Sequence, residues 1–406
     1  MHNHFSKKYN ISILASLSLG LLLGCYDDSM FYNLASYFIK AFVNLLQFIS
    51  LPIIFLSLTA AITKLETKES LKEILGRTLK YTILTTLVAA FVAMLVYKFL
   101  VVRNISVIHG VTSTQTFLES GIAKYLLNII PSNIIKIFSE NNIMAVVFSA
   151  LLIGITSLFL DTQYKTNIHT IFNSFFELFM KIAIFVLRLM PFVIWAFMVV
   201  FIKDVKSGFE VESLLYYIAA IVLANFIQTL IILPLFLKAK GISPIKTFKG
   251  MIPALITAFF SKSSSATMPT TMHCVNENLK VNKKISSITV PLCTTINMNA
   301  CAGFIYITVL FVSQSNGVVF SEFDYVSWIF LAVIAAIGNA GVPMGCFFMA
   351  SAYLASMGVS TYMMGIILPF YTILDMFETA INVWSDACVT SVVDKEIKEI
   401  KSIEAH

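Results

Sequence analysis

Charge is scarce in this sequence. Asp, Glu, Lys and Arg together make up 12% of 406 residues, against about 25% in ordinary soluble domains. Hydrophobic residues reach 58% and mean hydropathy is +0.85. So few charges cannot cover a water-facing surface, so a soluble globular fold is excluded and lipid solvates much of the chain. The net charge of +6 is scattered, which excludes a nucleic-acid face. Histidine is equally thin: His2, His4, His109, His169, His273 and His406 lie far apart, with no HExxH, no GxSxG and no His–carboxylate pairing. That argues against an enzyme and leaves one enzymatic alternative, a Ser/Lys membrane hydrolase built on Lys262 and its neighbouring serines. The six cysteines form no CxxC pair and no metal-ligand spacing, so they read as small buried side chains.

Apolar segments recur at 11–25, 31–62, 80–101, 121–160, 167–202 and 213–237. A hydrocarbon core of about 30 Å takes about 20 helical residues, so the longer segments must tilt, kink or run along the interface. The first segment follows Lys7 and Lys8 and ends in Leu-Leu-Gly-Cys at Cys25, which fits a signal peptide or a retained first helix. The many spans that follow favour the retained helix. Positive charge collects at Lys7–Lys8, at Lys64, Lys68, Lys72, Arg77 and Lys80, at Lys238, Lys240, Lys246 and Lys249, and after Asp394. The positive-inside rule then predicts a multi-pass protein of the plasma (inner) membrane with both termini cytoplasmic and the loops at 102–120 and 203–212 outside.

After residue 240 the pattern changes. Phe248 to Phe260 is apolar for 13 residues and stops at Ser261-Lys262-Ser263-Ser264-Ser265. Thirteen helical residues reach about 20 Å, too short to cross. The chain then turns polar and ends in Lys280, Lys283 and Lys284, the pattern of a re-entrant hairpin. Lys262 at such a tip cannot snorkel to water and is functional by default. A second interruption, Gly338 to Gly345 with Pro343, splits the apolar stretch near 325–358. Two broken segments in one half of a membrane protein point to a transporter's mid-membrane site. Between them, Ser286 to Val312 is interrupted by Thr294-Thr295-Ile296-Asn297-Met298-Asn299. The last span, 360–393, places Asp375, Glu378, Asn382 and Asp386 at i, i+3, i+7 and i+11, on one helix face. Three carboxylates on one stripe are costly in lipid unless they face a site.

These residues carry a resemblance to the glutamate transporter family, the dicarboxylate/amino acid:cation symporters. Ser263-Ser264-Ser265-Ala266-Thr267-Met268-Pro269 resembles the serine-rich tip of that family's first hairpin, and Asn297-Met298-Asn299 its Asn-Met-Asp motif. Ala340-Gly341-Val342-Pro343 is similar to the second hairpin tip, and Ile130-Pro131-Ser132-Asn133 to the fourth segment. Asp375 through Asp386 resembles Asp-x-x-Arg-Thr-x-x-Asn-Val-x-x-Asp. The resemblance implies an all-α membrane protein of eight transmembrane helices plus two re-entrant helical hairpins. It further implies a homotrimer working as an elevator, with an amino acid and sodium ions or protons as its small-molecule partners. No cofactor is implied beyond sodium as coupling ion. By that pattern 1–79 and 121–240 are scaffold and connecting helices, and 80–120 a transport-domain helix and outer loop. Residues 241–393 are the transport core, and 394–406 a cytoplasmic tail.

The same resemblance implies roles. Asp375 holds the substrate ammonium. Asn382 and Ser264, with backbone amides near Lys262, Ser263 and Val342, hold the α-carboxylate. Glu378, Thr379, Cys301 and Cys346 lie at the side-chain end. Asp386, with carbonyls of Cys293, Asn297 and Asn382, forms one sodium site, and carbonyls of Thr295, Ala336, Ile337 and Asn339 a second. Two departures matter. Glu378 stands where acidic-substrate relatives have Arg. Two carboxylates about 4 Å apart at an effective dielectric of 20 repel by roughly 4 kcal/mol, nearly three decades in affinity. A basic or a neutral amino acid is therefore expected, with an acidic amino acid or dicarboxylate as the alternative. Asn299 stands where sodium-coupled relatives have Asp, in a third sodium site that Thr85, Thr86 and either Tyr81 or Thr82 would complete. Fewer coupled sodium ions follow, or a proton on Glu378 in place of one. A channel is the alternative from another class, since the family also leaks anions.

Overall fold

The computed structural model describes residues 3–26, 29–63, 69–102, 130–139, 143–206, 211–339 and 344–404, and these are helical nearly throughout. The chain opens with α1 (Asn3–Cys25), α2 (Ser29–Thr63) and α3 (Glu69–Leu100). A short α4 (Lys136–Ser139) precedes α5 (Ile143–Ser157), α6 (Thr162–Arg188) and α7 (Ile194–Lys206). Next, α8 (Val211–Ile227) runs through a wide helical turn at Gln228–Ile232 into α9 (Leu233–Ala239). The last stretch holds α10 (Pro244–Ser261), α11 (Ser264–His273), α12 (Lys283–Ile296), α13 (Asn299–Ser315), α14 (Glu322–Gly338), α15 (Gly345–Ser356) and α16 (Tyr362–Glu404).

Among the described residues five helical stretches are long and apolar enough to cross a membrane: Glu73–Leu100, Thr162–Val186, Val211–Ala239, Lys283–Ser315 and Tyr362–Glu399. Shorter apolar helices include Ala15–Cys25, Leu51–Ala60 and Ile194–Lys203. Several expected boundaries move. The third helix starts at Glu69, ahead of residue 80, so Lys72, Arg77 and Lys80 are helical and not loop. The segment at 167–202 breaks at Met190–Phe192, where Pro191 lacks an amide hydrogen and its ring blocks a continuous helix. The tail after Asp394 continues as helix to Glu404. Most of the expected loop at 102–120, and the first part of the segment at 121–160, lie outside the described residues.

Local chemistry explains where the inner helices begin. Pro244 occupies the first turn of α10 and the Ser243 hydroxyl accepts from the Lys246 amide. Asn282 caps α12 by accepting from the Lys284 amide at 2.9 Å. At the head of α14, Ser321 and Asp324 form a reciprocal capping box, with Asp324 accepting from the Ser321 amide at 2.7 Å.

The helices pack in two groups. In the first, α2 lies against α5, α6 and α7, and α1 against α7. Gly20 allows the second contact, since a Cβ there would come within 2.6 Å of Trp195 and Met198. In the second, α13 is surrounded by α3, α8, α14, α15 and α16, while α10 and α11 lie against α16. Within α13 the Phe311 ring stacks on Tyr217 at 4.6 Å, and the Tyr217 hydroxyl meets Thr308 at 2.9 Å. The contrast in enclosure is large: 94% of the apolar window in Lys283–Ser315 is buried, against 6% in Thr162–Val186. The interrupted helix is therefore wrapped by protein, which non-helical backbone at membrane depth requires. The two groups touch where the Ser57 hydroxyl donates to the Gly338 carbonyl at 3.0 Å.

At one end of the inner group an ionic knot ties three elements together. Glu396 on α16 accepts from Arg77 Nη1 on α3 at 2.5 Å, from Lys240 Nζ after α9 at 2.6 Å, and from the Tyr81 hydroxyl at 2.5 Å. Bonding to Glu396 raises the Lys240 ammonium above the ordinary lysine range. Arg77 and Lys240 side chains are about a third exposed, so solvent screening limits the gain. Replacing Glu396 with Gln is expected to lower stability by on the order of 1–2 kcal/mol, read as a fall of several degrees in the thermal midpoint of the detergent-solubilised protein. An unchanged midpoint would show that the knot carries no stability.

Candidate functional site

The site grows from the inward face of α16. Asp375, Glu378, Asn382 and Asp386 are between 1 and 5% exposed, so the predicted stripe is an interior face and not a lipid or water face. One turn earlier on that face, the Tyr371 hydroxyl lies 3.4 Å from both Asp375 Oδ1 and Glu378 Oε2. A phenol has one proton, so it can serve only one of these carboxylates at a time. Three carboxylate oxygens, Asp375 Oδ2, Glu378 Oε1 and Asp386 Oδ2, are buried with no hydrogen-bond partner. The neighbouring Thr379 hydroxyl donates back to the Asp375 carbonyl at 2.7 Å.

The turn between α10 and α11 and the residue ahead of α15 both approach this face. At the first, α10 ends on Lys262 in the left-handed conformation (φ 54°). Ser263 is extended and caps α11 by accepting from the Ala266 amide at 3.2 Å. Ser264 begins α11 and is buried. Left-handed backbone is unfavourable for a lysine. Here it reverses the chain between two helices and leaves Lys262 acting electrostatically on Asp375. The charged neighbour of Glu378 is Asp375. Across the second interruption α14 ends at Gly338 and α15 resumes at Gly345. Met344 takes a left-handed conformation (φ 59°), with its backbone facing the Asp375 carboxylate. Val342, and with it Ala340, Gly341 and Pro343, lies outside the described residues.

The third component is the break between α12 and α13. Asn297 and Met298 leave helical geometry (ψ 72° and 61°), so carbonyls in the last turn of α12 lose their intrahelical partners. The Cys293 carbonyl is taken by the Asn297 amide at 2.8 Å. Asn297 Nδ2 donates to Asp386 Oδ1 and to Ser385 Oγ, each at 2.9 Å. Asn382 Oδ1 accepts from the Ala300 amide at 3.0 Å. Thr295 bonds back to Pro291 and is half-buried. In the last turn of α14, the Asn339 amide reaches the carbonyls of Ala336 and Ile337. Asn299 meets the predicted threonines: its Oδ1 accepts from Thr86 at 2.8 Å and from Thr85 at 3.4 Å, and its Nδ2 donates to Ser385 at 2.7 Å. Tyr81 is not there; it belongs to the Glu396 knot. Thr82 bonds back to the Thr78 carbonyl.

Cys301 and Cys346 correct the reading of all six cysteines as unpaired. The structure joins them as a disulfide between α13 and α15, with Cα atoms 5.6 Å apart. A separation of 45 residues with no local motif gave the sequence no way to announce the pair. Asn339 Nδ2 donates to both sulfurs, at 3.2 and 3.3 Å, and Gly345 leaves the room, because a Cβ there would overlap Asn339 Oδ1. Sequence reasoning also passed over Tyr371 and Ser385. Tyr371 was legible, four residues before Asp375 and seven before Glu378 on the same face. Ser385 was not, because only the fold of the α12–α13 break brings Asn297 and Asn299 to it.

The model of the sodium:dicarboxylate symporter family matches residues 10–396, nearly the whole chain. Among curated proteins, excitatory amino acid transporter 3 of Mus musculus is 32% identical over 230 residues, 56% of this chain and 44% of its own length. Neutral amino acid transporter A of Bos taurus is 30% identical over 275 residues, 64% of this chain and 51% of its own. An excitatory amino acid transporter of Caenorhabditis elegans is 28% identical over 301 residues, 73% of this chain and 58% of its own. The chain thus spans about half the length of the curated relatives it matches. With a family match from residue 10 to residue 396, the chain belongs to the sodium:dicarboxylate symporter family.

Proposed function

We propose that this protein is a secondary active symporter of the plasma membrane that moves a basic or neutral amino acid into the cell with sodium. The family is one of symporters and not of enzymes, which sets the hydrolase reading aside. One observation carries the proposal: three carboxylate oxygens on one helix face are buried without partners, with Lys262 and the Met344 backbone beside the first of them, Asp375. Buried carboxylates of this kind are strongly unfavourable as anions unless a cation completes them or a proton neutralises them. Asp375, beside Lys262 and the Met344 backbone, suits the substrate ammonium. Ser264, Asn382 and the amides around Lys262, Ser263 and Val342 suit the α-carboxylate. Asp386, with oxygens of Cys293, Asn297 and Asn382, suits sodium, as do the carbonyls of Thr295, Ala336, Ile337 and Asn339, since hard cations favour oxygen cages. The homotrimer, the elevator movement and the cytoplasmic termini are part of the same proposal, carried by family membership and the positive-inside pattern.

Substrate class turns on Glu378. It faces the site beside Asp375, and Lys262 acts on Asp375. A basic side chain would supply the missing cation. A neutral one would need Glu378 to carry a proton. Relatives bear the names of both excitatory and neutral amino acid transporters, and the charge at this position selects among substrate classes. Coupling turns on Asn299, whose amide is closed by Thr85, Thr86 and Ser385 in a neutral hydrogen-bond cluster.

Three outcomes are expected in proteoliposomes. Replacing Glu378 with Arg shifts preference toward acidic amino acids by about two to three decades, the worth of the roughly 4 kcal/mol of carboxylate repulsion; unchanged preference removes the assignment of Glu378 to the side-chain end. Sodium stoichiometry from reversal potentials falls below three per substrate and rises in Asn299→Asp, whereas three in the wild type would overturn the role given to Asn299. Gly345→Ala, which pushes Asn339 from its place, weakens substrate binding at least tenfold in protein that still elutes as a folded species; wild-type affinity would dissociate Asn339 from the pocket.

A further inference from the structure

Cys301 on α13, Cys346 on α15 and Glu378 on α16 offer two sulfurs and a carboxylate oxygen within 4.8 Å of one another, all buried. These three side chains come from three different helices, α13, α15 and α16. Two further side chains point into the cluster. Asn339 Nδ2 donates to both sulfurs, and Asn382 Nδ2 donates to Cys301 Sγ at 3.3 Å. Such N–H donors favour a sulfur that carries negative charge. Glu378 Oε1 and Asn339 Oδ1 have no partner although both residues are more than nine-tenths buried. The cluster thus holds acceptors without donors, around two sulfurs that become ligands once their bond is opened.

We propose that Cys301, Cys346 and Glu378 form, in the reduced protein, a binding site for one thiophilic divalent cation of the zinc and cadmium class. The donor set decides the class. Thiolate sulfur with one carboxylate selects borderline and soft ions, whereas the oxygen-only surroundings of Asp386 suit sodium. Asn339 Oδ1 or a water completes four-coordination. The disulfide and the metal exclude each other. A phosphine opens the disulfide by attacking one sulfur and taking the oxygen of one water, leaving a phosphine oxide and two thiols. The incoming metal then displaces the two thiol protons. Bound there, the ion bridges α13, α15 and α16 and fills the side-chain end of the pocket. Only that last consequence rests on the proposed transport function.

The test uses the full-length protein purified in detergent, reduced with a phosphine under argon and titrated with Cd2+. The expected result is one Cd2+ per protomer, seen as a sulfur-to-cadmium charge-transfer band in the ultraviolet and displaced by Zn2+. The band is absent after oxidation of the same sample with diamide and is lost in Cys301→Ser/Cys346→Ser. Glu378→Gln, which keeps both thiols and the side-chain volume, weakens Cd2+ binding at least tenfold. A reduced, monodisperse wild type without the band would overturn the site, as would a band of equal size in the double variant or equal affinity in Glu378→Gln. No transport is measured, so failure here leaves the symporter reading intact, and failure of uptake leaves this site intact.

Discussion

Backbone polar groups at membrane depth need partners, and this requirement organises the molecule. Among the described residues three breaks in helical geometry, at Lys262–Ser263, at Asn297–Met298 and at Met344, release amides and carbonyls that lipid cannot satisfy. Each must be enclosed by helices, and α3, α8, α14, α15 and α16 enclose the central one so fully that almost none of its apolar window is exposed. Between apolar helices in lipid the hydrophobic effect gives little attraction, so close packing and side-chain hydrogen bonds hold the group. Asn297, Asn299 and Ser385 supply those bonds at the break, and Gly345 makes the space that Asn339 needs at the second tip.

The same enclosure makes a site. Freed carbonyls and a left-handed turn are defects in an ordinary helix but ligand positions once water and lipid are excluded. Lys262 and Met344 both occupy left-handed backbone that their side chains disfavour. Strain of that kind persists where the surrounding structure determines it, commonly at functional positions. Here both residues act on one carboxylate, Asp375, one from the turn between α10 and α11 and the other from the residue ahead of α15.

Much of this was legible before any coordinates. Periodicity alone placed Asp375, Glu378, Asn382 and Asp386 on one face, and a 13-residue apolar run ending in serines announced a hairpin, because both depend on local spacing. What escaped depended on contacts distant in sequence. Tyr81 sits one helical turn before Thr85 yet serves Glu396, 315 residues away, because α3 is long enough for its two halves to belong to different neighbourhoods. The pairing of Cys301 with Cys346 required α15 to pack on α13. The start of α3 was missed because Lys72, Arg77 and Lys80 read as loop, while the helix in fact begins at Glu69 and carries Arg77 to Glu396.

Charge conservation in the pocket links these features to coupling. With the buried Asp375, Glu378 and Asp386 ionised and the half-buried Lys262 protonated, the four groups carry a net charge of two negative units. Moving such a pocket through the bilayer unloaded would meet the full cost of burying uncompensated charge. A basic amino acid, with one net positive charge, and a single sodium ion bring the sum to zero. A neutral amino acid needs two sodium ions, or one sodium ion and a proton on Glu378, to reach the same end. On the proposed reading the substitution of Glu for Arg at position 378 and of Asn for Asp at position 299 are therefore not independent. On that reading the first would add negative charge at the proposed cargo site, the second would remove it from the proposed cation site, and together they would let a cargo cation take over part of the work of a coupling ion.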